Sequence, residues 1–296
     1  MSAGEAALLS VVIPIFQRQR LAERAIRSVL EQNVSSLEII VVDDCSLEPF
    51  ALSPEIAAPS VQLIRHEINR GAAAARNTGM AYASGTWLTF LDSDDAMLPD
   101  TLLKRLRFAQ EHERHHPDRL TIYGSAFMDL HESGKPVRMR APRAAQRASD
   151  FASGCWFCPG SCVLVKRQRF LDRVGLQTES LGRLEDLDWF LRAGLAGAEL
   201  IVDPTVAAAI SCGTPPSMAV VAEAASQIIR LWEDTALPAA VGRRLKAYLE
   251  LELAAALFRN GNLAAAVSRL AYSLLLRPRL SLHLSPGWES SAAPRD

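Results

Sequence analysis

Residues 69–95 read NRGAAAARNTGMAYASGTWLTFLDSDD, and the way this stretch ends decides the fold. Residues 86–91, Thr-Trp-Leu-Thr-Phe-Leu, are rich in aromatic and β-branched side chains and follow the helix-stopping pair Ser84-Gly85, which predicts a buried strand. Asp92, Ser93, Asp94 and Asp95 then fall just past its carboxyl end, where open parallel sheets collect ligands. Carboxylate oxygens there suit a hard cation such as Mg²⁺ or Mn²⁺, which binds through one or two carboxylates and leaves its other positions to substrate phosphates. The competing reading makes the acids a cap for the next helix, announced by Pro99 and Asp100. That reading accounts for Asp100 better than for three acids on the strand side. Earlier in the stretch, residues 72–84 predict a helix whose sheet-facing positions, Ala72, Ala73, Ala74, Ala75, Gly79 and Ala83, are small enough to let it lie close to the strands. Arg76 and Asn77 are its polar exceptions, expected to point out near the acids, with Arg76 contacting a phosphate or a base.

Outward from this stretch, hydrophobic periodicity predicts strands at residues 9–15, 38–42, 61–65, 120–125 and 162–166, and helices at 20–32 and 102–113. Alternation of strand and helix predicts an α/β fold, a mostly parallel sheet flanked by helices with right-handed crossovers. The strand at 38–42 runs straight into Asp43-Asp44-Cys45-Ser46. One acidic strand end is a turn signal, but two ends in one sheet fit a site better. An irregular basic loop with Arg138, Arg140, Arg143 and Arg147 separates the last two strands.

The chain has 296 residues, of which 49% are hydrophobic, ample for a packed core. A formal net charge of −1 without a basic block gives no electrostatic footprint for nucleic acid. No leader pattern and no apolar run near the length of a membrane span is read, so the expected location is the cytoplasm. Five cysteines, an odd number, argue against a secreted disulfide framework. Cys155 and Cys158 are followed by Pro159-Gly160, whereas a redox pair normally opens a helix. A zinc site with Cys162 would need a fourth ligand, and His112, His115 and His116 read more simply as a solvated helix end, with His131 the other candidate. Structural thiols are the expectation.

Four segments together carry a resemblance: Ser-Val-Val-Ile-Pro at 10–14, Val-Val-Asp-Asp-Cys-Ser at 41–46, Asn-Arg-Gly-Ala-Ala-Ala-Ala-Arg-Asn-Thr-Gly at 69–79, and Phe-Leu-Asp-Ser-Asp-Asp at 90–95. In this order and spacing the chain closely resembles family 2 glycosyltransferases over residues 8–212. The resemblance implies the Rossmann-like GT-A fold, a nucleotide-sugar donor, a divalent metal (Mn²⁺ or Mg²⁺) and inverting transfer to a glycan or lipid-linked acceptor. It implies donor contacts from Pro14, Phe16, Arg18, Asp43, Asp44, Asn69, Arg76, Asp92 and Ser93. Asp44 would accept from the nucleobase, Asp92 would approach the ribose, and Asp94 would hold the metal, with Asp95 in support.

Inverting transfer needs a base for the acceptor proton. The helix opening Glu185-Asp186-Leu187-Asp188-Trp189 offers one. Asp186 and Asp188 lie about 200° apart around a helix, so both cannot face one substrate. The family pattern of Glu-Asp before a hydrophobic helix puts the base on Asp186 and an acceptor contact on Glu185. Acids in a first helical turn also stabilise the macrodipole, by up to about 1 kcal/mol, which is the competing explanation. The chain departs from the family where many members carry a His near the last strand. Here it reads Ala207-Ala208-Ala209-Ile210-Ser211-Cys212-Gly213, leaving Ser211, Cys212 or water to fill that place.

Beyond Pro215-Pro216, residues 218–234, 239–259 and 263–276 predict three helices, the last two joined by the turn Asn260-Gly261-Asn262. The expected organisation is a flexible start at 1–7, the catalytic unit at 8–214, a helical appendage at 215–284 and a loose tail at 285–296. The appendage is expected to dock on the catalytic unit, with a basic face on the inner membrane surface as its second reading. Two other functions stay open: a nucleotide-sugar-binding protein without turnover, and a nucleotidyltransferase, although the first strand lacks a Gly-rich phosphate signature.

Overall fold

Apolar side chains alternate between two faces along the first strand, and each face builds its own core. Val11 and Ile13 pack with Ala22, Ile26 and Leu106 on one side, while Val12 packs with Ala75, Leu88 and Phe90 on the other. A strand buried on both faces belongs to the interior of a helix-flanked sheet. The computed structural model describes residues 8–131, 133–154 and 158–279. Its elements run β1 (Leu9–Ile15), α1 (Gln19–Leu30), β2 (Leu37–Asp43), β3 (Val61–Arg65), α2 (Ala72–Tyr82), β4 (Trp87–Phe90), β5 (Ala96–Met97), α3 (Thr101–His115) and β6 (Thr121–Leu130). They continue with β7 (Pro136–Arg140), α4 (Ala148–Phe151), β8 (Leu164–Lys166), α5 (Arg167–Arg173), α6 (Glu185–Leu195), β9 (Glu199–Ser211), α7 (Met218–Glu233), α8 (Ala239–Arg259) and α9 (Leu263–Leu276).

The described strands form one sheet in the order β3-β2-β1-β4-β8-β6-β9-β5, with β7 added on β6. The half built from β3, β2, β1 and β4 is parallel throughout. In the other half β8 runs antiparallel to both β4 and β6, and only β6 and β9 are parallel. The parallel half carries the two acidic strand ends: Ile15 pairs with Asp43, and Leu91 donates its N–H to the carbonyl of Val12, which aligns the end of β4 with the same edge.

The small face of α2 lets its backbone approach β1. A Cβ added at Gly79 would stand 2.2 Å from Val12 Cγ1. Alanine would gain up to about 1 kcal/mol of helix propensity there, but relieving such a contact by moving backbone costs about 1–3 kcal/mol. Gly79→Ala is therefore expected to lower stability by about 1–2 kcal/mol net, read as a lower denaturant midpoint at unchanged slope. A gain in stability would mean that the helix does not press on β1.

A third core fixes the appendage. Leu184, Leu187 and Leu191 of the α6 region pack with Ala224, Ala225 and Ile228 of α7 and with Val241, Leu245 and Tyr248 of α8. Trp232 Nε1 donates to Asp188 Oδ1 at 3.0 Å, tying α7 to the same helix. Leu195, at the end of α6, is 37% exposed. Cys158 and Cys162 are buried free thiols; burial pushes the Cys158 thiol well up and the Cys162 thiol to about 12, as structural cysteines require. Cys155, the start at 1–7 and the tail at 285–296 lie outside the described residues. Among the described residues no helix is long and apolar enough to cross a membrane.

Candidate active site

The parallel strand ends open on a cleft of ≈ 530 Å³ lined by Pro14 near the end of β1, Phe16 and Arg18 after it, Asp44 after β2, Asn69 and Arg76 around the start of α2, and Asp92, Ser93 and Asp94 after β4. Every donor-site residue expected from the sequence lies here except Asp43. That carboxylate points into the protein and shapes the neighbouring loop. It accepts from the N–H of Ser46 at 2.9 Å and of Phe50 at 3.2 Å, and it pairs with Arg65. Burial pushes its carboxyl up, but these bonds outweigh the burial and hold it below its ordinary value.

Asp44 is held by the loop that leads into α2. Its Oδ1 meets His66 Nδ1 at 2.7 Å and accepts from the N–H of Arg70 at 2.9 Å, while Oδ2 accepts from Gly71 at 2.6 Å. Gly71 can offer that N–H because its φ is +89°, a conformation that glycine adopts without strain. His66 was not legible as a site residue; a histidine in a polar loop has many uses.

The four residues after β4 divide their work. Asp95 is buried, accepting from Ser161 Oγ at 2.6 Å and from the N–H of Ser211 at 2.9 Å. Burial pushes its carboxyl well above the usual range, and the Asp92 charge adds to that. It pins the loop after β4 to Ser161 and Ser211. Ser211 also donates its hydroxyl to the Asp94 carbonyl, which Arg24 contacts too. Ser211 is thus engaged with the loop backbone at the place where a downstream His is absent.

Asp94 faces the cleft and pairs with Arg18 through Oδ2 at 2.5 Å. Among the described residues no three His, Cys, Asp or Glu side chains converge as a metal set. The donor chemistry fits a cation held by one carboxylate together with the phosphates of a bound nucleotide, as Mg²⁺ and Mn²⁺ allow, and does not fit an all-protein cage.

Arg76 joins the donor cleft to the start of α6. Only 4% exposed, it donates from Nη2 to Asp92 Oδ1 at 2.7 Å and from Nη1 to Glu185 Oε1 at 3.0 Å, and Asp186 Oδ1 lies 3.7 Å from Nη1. The sequence placed Arg76 and Asn77 pointing out of α2. Both are buried because residues 177–179 cover them: Asn77 exchanges bonds with the backbone of Gln177 at 2.8 and 2.9 Å and donates to Glu179 at 3.0 Å. Gln177 Nε2 also donates to Asp186 Oδ1 at 3.3 Å. No local pattern marked Gln177, since its role exists only once 100 residues of chain have folded back.

Burial pushes the Asp186 carboxyl up to about 7, against the pull of Arg76 and with a push from Glu185 and Asp92. Asp188 is on the other flank, bound by Thr178, Arg192 and Trp232, so only Asp186 faces the acids of the cleft.

Residues 10–170 match the family model for glycosyl transferase family 2. The chain is 30% identical over 189 residues to an uncharacterized glycosyltransferase of Haemophilus influenzae, covering 62% of this chain and 61% of that one. It is 40% identical over 107 residues to the putative colanic acid biosynthesis glycosyl transferase WcaA of Escherichia coli, covering 35% of this chain and 38% of that one. The chain thus spans less than two thirds of these relatives' lengths. The crystal structure of S. aureus TarS 1-349 in complex with UDP superposes with a TM-score of 0.60 at 17% identity, covering 92% of this chain and 81% of that one, which shows a shared fold. The chain belongs to glycosyl transferase family 2.

Proposed function

We propose that the protein transfers a sugar from a nucleoside-diphosphate donor, a UDP-sugar, to a hydroxyl of a glycan or lipid-linked acceptor by a single inverting displacement. The observation that carries this reading is the Arg76 cluster, which joins the cleft acid Asp92 to Asp186, a carboxylate pushed up to about 7. Such a group is ionised enough near neutral pH to act and basic enough to take a proton. Asp186 takes the acceptor proton as the oxygen attacks, and Glu185, held by Arg76, lines the acceptor side. Asp44 has a lone pair of Oδ2 left for one N–H of the nucleobase, since only Gly71 occupies that oxygen. A divalent cation on Asp94 and the donor phosphates would offset charge developing on the departing diphosphate. The relatedness to a colanic acid biosynthesis protein supports a role in polysaccharide assembly.

The deciding experiment offers a panel of nucleotide sugars with Mn²⁺ or Mg²⁺ and follows thermal shift and the phosphate-containing product. Release of nucleoside diphosphate is expected. Pyrophosphate release would instead indicate nucleotidyl transfer, and binding without any turnover a carrier. A donor at about 100-fold above its Kd should stabilise the protein by about 2.7 kcal/mol. Chelation or Asp94→Ala is expected to remove most of that shift. An undiminished shift in both cases would take the metal away from Asp94.

A further inference from the structure

The helix α9 turns an uncharged face to solvent. Its 14 residues contain one charge, Arg269, and that guanidinium is bound to Glu250 at 2.9 Å on the inner side. Only Ala266 and Ser273 are buried, with Ser273 Oγ donating to the carbonyl of Ala247 at 2.7 Å. On the other side Leu263 is 57%, Val267 65%, Leu274 37% and Leu275 81% exposed. At about 100° per residue they span about 120° of the helix surface, with Ala264 and Ala271 filling the sector between Val267 and Leu275, and Phe258 at the end of α8 is 65% exposed beside the turn. Scattered exposed leucines need no explanation, but a contiguous apolar helix face marks a contact surface.

The surrounding charges select the partner. Within residues 239–279 the two acids, Glu250 and Glu252, are both buried, so they present no negative charge beside the stripe. Arg259 stands at the hairpin turn and Arg279 just past the other end, while Lys246 lies 5.3 Å from the Tyr272 ring centroid along one flank. Arg259 and Arg279 form no ion pair among the described residues, while Lys246 also feels the charge of Glu250. A second copy docked through this face would bring like charges together around the apolar contact. An anionic lipid surface would accept the leucines among its acyl chains and the cations among its headgroups. Fourteen residues are too few to span a bilayer, which takes about 20.

We infer that α9 lies in the interface plane of an anionic membrane, with Leu263, Val267, Leu274 and Leu275 inserted and Arg259, Lys246 and Arg279 on the phosphates. This contact does not depend on the transfer reading and is tested without any donor or acceptor. The full chain is sedimented with phosphatidylglycerol-containing vesicles and with pure phosphatidylcholine vesicles, at low and high salt. Expected is binding to the anionic vesicles that falls with salt and weakens about tenfold or more in Val267→Glu and Leu275→Glu. Arg259→Gln and Arg279→Gln should each weaken it about fivefold, and these two variants decide the matter if either glutamate variant melts early. No vesicle binding, or binding that all four variants leave intact, overturns the inference. Concentration-dependent self-association abolished by Val267→Glu would assign the face to a second copy instead.

Discussion

An Asp186→Asn protein is expected to fold, to bind donor and to lose about 10²- to 10⁴-fold in turnover. Asparagine keeps the shape of the side chain and can still accept from Gln177, whose amide stands 3.3 Å from Oδ1, but it cannot take the acceptor proton. The wild-type pH profile carries the same signature. A base must be unprotonated to act, so with a carboxyl at about 7 kcat/KM should rise about tenfold per pH unit on the acid side and level off above that point. The Asn variant should lose this limb. Wild-type turnover in Asp186→Asn, or a kcat/KM that is flat from about pH 5 to 8, would move the base elsewhere. Asp188→Asn serves as the contrast: that carboxylate is tied to Thr178, Arg192 and Trp232, so its loss should show in stability and leave the position of the acid limb in place.

What the sequence made legible follows the range of the interactions involved. β1, β2, β3 and β4 announce themselves because a strand buried on both faces must be apolar along its length, and the acids after β2 and β4 stand out against that background. Asp92, Asp94 and Asp44 were legible for this reason. Asp43 looked equivalent to Asp44, yet one residue of strand alternation turns its side chain into the loop and toward Arg65. Short elements such as β5 carry no periodicity to read, and β6 continues to Leu130, beyond the predicted end at 125, because β9 pairs with it from Thr121 onward and its second half also gains β7. Ser211 was legible only as one of several ways to fill the place of a missing His. Gln177 and Ser161 were illegible because they act through bonds to residues far away in the chain, Asn77 and Asp95. The same is true of Arg76, whose type suggested a phosphate contact but whose neighbours in α2 say nothing of Glu185 or Asp186.

Replacing Arg76 by methionine is expected to destabilise the protein by about 3 kcal/mol, the lower end for breaking a buried ion pair. The lower end applies because the side chain of Asp92 is 35% exposed and water screens part of its pair. Methionine fills the volume but leaves Asp92, Glu185 and Asp186 to repel one another, and Asp186 loses the cation that pulls its carboxyl down. The acid limb of kcat/KM should therefore move to higher pH, above about 7, a displacement that a merely loosened fold would not produce. Arg76→Lys keeps the charge but cannot hold Glu185 and Asp92 on separate arms as Nη1 and Nη2 do, so it should fall between the two. Adding Asp92→Asn to Arg76→Met removes one of the stranded charges and should recover part of both the stability and the pH midpoint, with a coupling of about 0.5–3 kcal/mol between the sites. Stability within about 1 kcal/mol of wild type for Arg76→Met, together with an unmoved acid limb, would show that the three carboxylates do not depend on this guanidinium and that Asp186 owes its basicity to burial alone.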